Sequence, residues 1–111
     1  ENRNAVGEVE AIRSEFGLGP AIKLPNDVQL AEHKVAGVLV EMRAQDKAPH
    51  LAVVGIGINV NQCRDDFPAE LQDNAISLAM ALGREVALQN FAVALLRKLD
   101  LTYREKFSKR A

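Results

Sequence analysis

The sequence has no tryptophan, one tyrosine and one cysteine in 111 residues. The single thiol, Cys63, cannot form an internal disulfide, so a reducing cytoplasm is the expected compartment. No local signature marks Cys63 as a nucleophile, and an ordinary thiol is the simpler reading. Long hydrophobic runs are also missing. The longest, Leu51 to Val60, includes Gly55 and Gly57 and is too short to span a bilayer. No N-terminal segment has the basic-then-apolar order of a secretion signal. Neither sign of charge dominates: 14 Lys and Arg against 15 Asp and Glu leave a formal charge of −1. That balance gives no electrostatic case for nucleic-acid binding. His33 and His50 have no third ligand at zinc spacing, and no Ser-His-Asp arrangement can be assembled. Position 60 is Val where a dinucleotide fingerprint beginning at Gly55 needs its third Gly, and no phosphate-binding loop ending in Gly-Lys-Ser/Thr occurs. Any nucleotide must be held by another mode.

What is present reads as one domain or part of one. Val6, Val9, Ile12 and Phe16 share a face of a helix over 4–16. Gly17 and Pro20 stop it. Ala21 to Leu24 reads as a short strand, Pro25-Asn26-Asp27 as a turn, and Val28 to Ala31 as a second strand. Glu32-His33 reads as a hairpin turn. Strands over Lys34 to Arg43 and His50 to Asn61 follow, separated by a polar loop. Gln62 to Glu70 is a polar loop containing Pro68. A short helix over Ala75 to Leu82 takes Asp73 or Asn74 as its cap, and Gly83 ends it. The last element, Val86 to Lys106, carries a stripe of Leu88, Ala92, Leu95, Leu99, Tyr103 and Phe107. The basic residues Arg97, Lys98, Arg104, Lys106, Lys109 and Arg110 toward its end suit the helix dipole. Hairpin-like links predict an α+β fold with a mostly antiparallel or mixed sheet flanked by helices.

Two polar elements interrupt the strands. In Gly55-Ile56-Gly57-Ile58-Asn59-Val60-Asn61, alternation puts Gly55, Gly57, Asn59 and Asn61 on one face. That face either relieves packing against a bulky neighbour or leaves room for a flat ligand, with amides at its rim. In Lys23-Leu24-Pro25-Asn26-Asp27, the Asp27 carboxylate either closes an Asx turn or meets Mg²⁺, which takes few protein ligands. Lys34 opens the apolar strand Lys34-Val35-Ala36-Gly37. Its ammonium either blunts a sheet edge or bridges two anions. Glu41 has odd parity to Lys34, so a regular strand would set the two on opposite faces.

The order I-K-L-P-N-D-V, then K-V-A-G-V-L-V-E, then V-V-G-I-G-I-N-V-N resembles the catalytic domain of the biotin protein ligases, from Ala5 to the last helix. The resemblance implies a two-step reaction. Biotin's carboxylate attacks the α-phosphate of Mg-ATP to give biotinyl-5′-AMP. A lysine of a biotin carboxyl carrier domain then takes the biotin. It implies Lys34 and Asp27 as catalytic residues, and Lys34 and Gly37 at biotin. It places Asn26, Asp27, Gly57, Asn59 and Lys23 at ATP or the adenylate, with Asp27 on Mg²⁺. Leu24 departs from the family's usual Trp. The family's Gly-Arg-Gly-Arg loop and small C-terminal domain are not in these 111 residues. Residues 1–111 are therefore expected to be one partial catalytic domain, with the remainder of the polypeptide as a partner and an exposed sheet edge that favours self-association. Two alternatives stand beside this: a lipoate- or octanoate-handling enzyme of the same superfamily, and a non-catalytic interaction module.

Overall fold

The computed structural model describes residues 5–23, 26–43, 46 and 51–108. Leu24, Pro25, His50, Lys109, Arg110 and, save Asp46, the polar loop before His50 lie outside them, as do the side chains of Glu41, Tyr103, Lys106 and Phe107. Helix α1 (Val6–Phe16) ends at Gly17, whose φ of 67° is left-handed and whose N–H bonds the Arg13 carbonyl. Glycine takes that conformation without a Cβ penalty.

Strands β1 (Ala21–Lys23), β2 (Asp27–Leu30), β3 (His33–Arg43) and β4 (Leu51–Ile58) form one antiparallel sheet in chain order. This is the α+β arrangement that the hairpin-like links predict. The β2–β3 turn falls on Ala31-Glu32, one residue earlier than expected, with φ of 50° and 67°. Two successive left-handed residues match the twist of the flanking strands. His33 thereby joins β3.

The β2–β3 ladder is not regular. Val28 pairs with Ala36, but Gln29 pairs with Lys34, so Val35 is an extra residue. Val35 and Ala36 are both buried, at 0% and 2% exposure. Such a bulge reverses the side-chain parity of everything before it. Lys34 therefore comes out on the side of Gly37 and Asp27 rather than that of Ala36.

Strand β4 stops at Ile58 rather than running on to Asn61. The carbonyls of Asn59 and Val60 instead accept the N–H groups of Leu78 and Ala79, at 3.0 and 2.9 Å. Those donors belong to the first turn of α2 (Leu78–Leu82), where helix geometry leaves them unpaired. The cap of α2 is Ser77, not Asp73 or Asn74: its Oγ accepts from Met80 N–H at 3.1 Å. Asp73 and Asn74 fall in the preceding turn. Between β4 and α2 lie two 3-10 turns, Arg64–Asp66 and Ala69–Leu71.

Helix α3 (Leu88–Ser108) packs on α1. Its inward residues are Phe91, 3% exposed, and the partly buried Leu95 and Leu99. Leu88 and Ala92 of the sequence stripe are exposed, so the stripe is rotated from the expected one. Phe91 stacks at 5.5 Å on Phe16, and a Cβ at Gly7 would collide with Leu99. One cluster holds the fold together: Val9 and Ile12 of α1, Val28 and Leu30 of β2, Val35 and Val38 of β3, with Leu78, Val86 and Phe91.

Glu8 sits fully buried on α1, and neither carboxylate oxygen has a partner among the described residues. Desolvation pushes its pKa above the ordinary 4.5. A raised folded-state pKa means the folded chain binds the proton more tightly. Stability tied to neutral Glu8 is therefore complete below pH 4.5 and lost as pH climbs through the raised value. Glu8→Gln should melt higher than the wild type at pH 8, with the gap closing toward pH 4.5; thermal melts across that range check it.

Candidate functional site

The sheet register lines up four residues in one row across four strands. Lys23 pairs with Asp27, Asp27 with Gly37, and Gly37 with Gly57. Directly paired residues point to the same face. Val28, Leu30, Ala36 and Val38 go into the core from the other face. The row lies on the open side, and Leu39 beside it is 61% exposed.

Lys34 joins this face because of the bulge. Its Nζ lies 3.4 Å from Asp27 Oδ1, and both side chains are about half exposed. A Cβ at Gly37 would stand 3.2 Å from Lys34 Cε and Nζ and 3.7 Å from the Asp27 carboxylate. The missing side chain at Gly37 is thus the space in which the ion pair sits. Gly57 has nothing within 4 Å of its Cβ position, and Gly55 meets only Leu39 at 3.9–4.0 Å. Among the described residues no bulky neighbour is being relieved at Gly57. Of the two readings of the glycine face, the open floor is the one the geometry supports.

A cavity of about 450 Å³ adjoins the row. It is lined by Lys23, Asp27, Gln29, Glu32, Lys34 and Asn59 on the sheet side, and by Phe67, Leu71, Asn74 and Ala75 opposite. Phe67 and Leu71 were not singled out by sequence reasoning. Their sequence signal is that they are the two large apolar side chains of the loop from Gln62 to Asn74. Asn26 sits at the entry to β2, where its carbonyl accepts the Val38 N–H at 2.9 Å. It is not among the lining residues.

The asparagines have separate roles. Asn59 Nδ2 reaches the carbonyls of Lys34 and Ile76, at 3.4 and 3.3 Å. Lys34 N–H donates to Asn74 O at 2.8 Å, and Ile76 N–H to Lys34 O at 2.9 Å. The backbone of Lys34 is therefore held from both sides, with Asn59 bracing the pair. Asn61 has left the glycine face. Its amide donates to Val86 O at 3.0 Å and accepts Val86 N–H at 2.8 Å, which fixes the start of α3. Cys63 lies exposed at the head of the loop. Its hydrogen bond with Asp66 and that carboxylate's charge push the thiol pKa up, away from nucleophile chemistry. Among the described residues no three His, Cys, Asp or Glu gather to hold a metal ion. No helix among them is long and apolar enough to cross a membrane.

No family model matches the chain. Curated proteins do. The chain is 39% identical over 101 residues to the bifunctional ligase/repressor BirA of Bacillus spizizenii, covering 91% of this chain and 31% of that protein. It is 38% identical to BirA of Bacillus subtilis over the same lengths. The chain belongs to the biotin protein ligase family. The family is one of enzymes, and this chain spans about a third of the length of these relatives. Solved structures agree. Biotin protein ligase from Aquifex aeolicus, in its apo form, superposes with a TM-score of 0.80 at 31% identity, over 98% of this chain and 46% of that one. The same enzyme in complex with biotin and ATP gives 0.77 at 31%, over 92% and 41%. LipL1 of P. falciparum in complex with lipoate gives 0.64 at 12% identity, which is a likeness of fold alone.

The two asparagines should separate in a stability measurement. Asn61→Ala strips two short bonds from a half-buried strand exit and should cost about 2 kcal/mol, whereas Asn59→Ala strips two long ones and should cost about 1 kcal/mol. Urea unfolding of this chain reads both, and the reverse order would contradict the bracing geometry.

Proposed function

We propose that this chain supplies one wall of a site that makes biotinyl-5′-AMP from biotin and ATP and passes the biotin to a lysine of a biotin carboxyl carrier domain. The observation that carries the reading is Lys34: a half-exposed ammonium on Asp27, above a glycine floor, in a biotin protein ligase segment. In the first step a carboxylate oxygen of biotin attacks the α-phosphorus, the new C–O–P bond forms, and pyrophosphate leaves. Both partners are anions, so a cation fixed between them lowers the barrier. A half-exposed ion pair is weakly held. Lys34 can therefore turn from Asp27 toward incoming anions while Asn59, Asn74 and Ile76 keep its backbone in place.

Asp27 offers one carboxylate, which suits the magnesium that accompanies ATP, an ion that keeps phosphate and water oxygens. Lys23 lines the same cavity and adds positive charge on the nucleotide side. Gly37 and Gly57 let a flat ligand lie on the sheet. In the second step the acceptor lysine's amine attacks the carbonyl of the mixed anhydride. The C–N bond forms and AMP leaves with the anhydride oxygen. The lipoate or octanoate reading rests on fold likeness at 12% identity. A cytoplasmic setting fits the lone exposed thiol.

The deciding experiment exchanges residues 5–105 into the matching part of the Bacillus subtilis relative and follows pyrophosphate release with biotin and ATP. Lys34→Ala should slow release by about 100-fold, the scale of losing one preorganised charge. Wild-type rates would remove Lys34 from the mechanism. Release driven by lipoate or octanoate rather than biotin would move the chain to the alternative substrate class. Titration of the unfused chain with biotinyl-5′-AMP addresses the non-catalytic reading: measurable heat of binding is the expected result.

A further inference from the structure

The stretch from Gln62 to Asn74 has no helix longer than one 3-10 turn, yet it is tied to itself at both ends. Arg64 Nη2 lies 2.7 Å from Asp73 Oδ1, and Arg64 Nη1 donates to the Gln72 carbonyl at 3.2 Å. Gln72 Nε2 in turn donates to the Phe67 carbonyl at 3.1 Å. Asp66 accepts the Cys63 N–H at 2.8 Å, and Ser77 Oγ donates to the Gln62 carbonyl at 2.6 Å. Directly after this clip come Asn74, whose carbonyl accepts the Lys34 N–H, and Ile76, whose N–H bonds the Lys34 carbonyl, with Ala75 as the bridge partner between them. Within the clip lie Phe67 and Leu71, which form the apolar wall of the cavity. Arg64 itself is not among the lining residues.

The cavity is apolar at this wall and charged on the sheet side, where Lys23 and Lys34 stand with the carboxylates of Asp27 and Glu32. A nucleotide has the matching polarity, with an apolar base at one end and phosphates at the other. We infer that Arg64 is a positioning residue for the nucleotide part of the site: its fork to Asp73 and Gln72 sets the Phe67–Leu71 wall and the Asn74–Ile76 edge that grips Lys34. The inference rests on the reading that this cavity takes ATP. Both members of the pair are exposed, at 57% and 86%, so charge attraction alone is worth little here. The value lies in geometry. A planar guanidinium serves a carboxylate and a carbonyl at once, and a lysine ammonium cannot copy that fork.

The test uses the chimera in which residues 5–105 replace the matching part of the Bacillus subtilis relative. Calorimetric titrations with Mg-ATP and, separately, with biotin are run on the wild type, Arg64→Met, Arg64→Lys, Asp73→Asn and the double variant Arg64→Met/Asp73→Asn. Amide exchange at Lys34 and Ile76 is followed by NMR. Arg13→Met is the control, because Arg13 forms a comparably exposed pair with Glu10. Both Arg64 variants and Asp73→Asn should weaken ATP by about 5-fold with biotin unchanged, and the double variant should be no worse than the worse single one. The Lys34 and Ile76 amides should exchange faster by a similar factor as the edge loosens, while the control moves neither reading. Wild-type ATP affinity and unchanged Lys34 exchange in Arg64→Met would overturn the positioning role. Full rescue by Arg64→Lys, or additive losses in the double variant, would overturn the fork. An unsubstituted chimera that does not bind ATP at all would instead overturn the reading underneath.

Discussion

One extra residue in β3 decides what the open face of the sheet can do. Without the bulge at Val35, strand parity would place Lys34 on the side of Ala36 and Val38, in the core. An unpaired ammonium there would be strongly unfavourable. With the bulge, Val35 and Ala36 both go inward and Lys34 comes out beside Asp27 and Gly37. Everything else at the site is arranged around that displaced lysine. Gly37, farther along the same strand, clears the volume it occupies, Asn59 braces its carbonyl, and the edge before α2 takes both of its backbone groups.

The arrangement also separates the stable from the adjustable. The backbone of Lys34 is bonded to Asn74 and Ile76 at 2.8 and 2.9 Å, while its side chain is half exposed and held by a single carboxylate. A fixed backbone with a loosely tied head is what a transferable charge contact needs: little entropy is lost in locating the lysine, and little energy in releasing it. The core beneath is ordinary in composition. An anomaly is Glu8, enclosed without a partner among the described residues, and it lies outside the cavity lining.

Much of this was readable from the chain. The hairpin order pointed to an antiparallel sheet, and alternation along Gly55–Asn61 put the glycines on one face without deciding whether it was packed or open. The motif order tied Lys23, Asp27, Lys34, Gly37 and Gly57 to one site, and the register sets four of them in one row. What failed did so for tertiary reasons. Parity counting misplaces Lys34, because nothing local marks Val35 as an extra residue. Asn61 reads as part of the glycine face, but its partner is Val86, 25 residues away. Asp73 and Asn74 read as helix caps because they are good ones in isolation. Ser77 takes that place since β4 delivers the Asn59 and Val60 carbonyls to that turn. Phe91 outranks Leu88 on α3 because Phe16 waits opposite it.

The bare patch at Gly57 bears on hydration. Within the sheet β3 and β4 pair their backbones with each other, and at Gly57 no side chain among the described residues stands within 4 Å of the Cβ position. Water over such a surface has few partners to hold it, and loosely held water is released at little cost. A flat ligand settling there would displace solvent rather than atoms of the protein. The floor itself would carry almost no preference among flat ligands. Discrimination between one acid and another would then have to come from the rim, where the lysines, Asp27 and the Phe67–Leu71 wall stand.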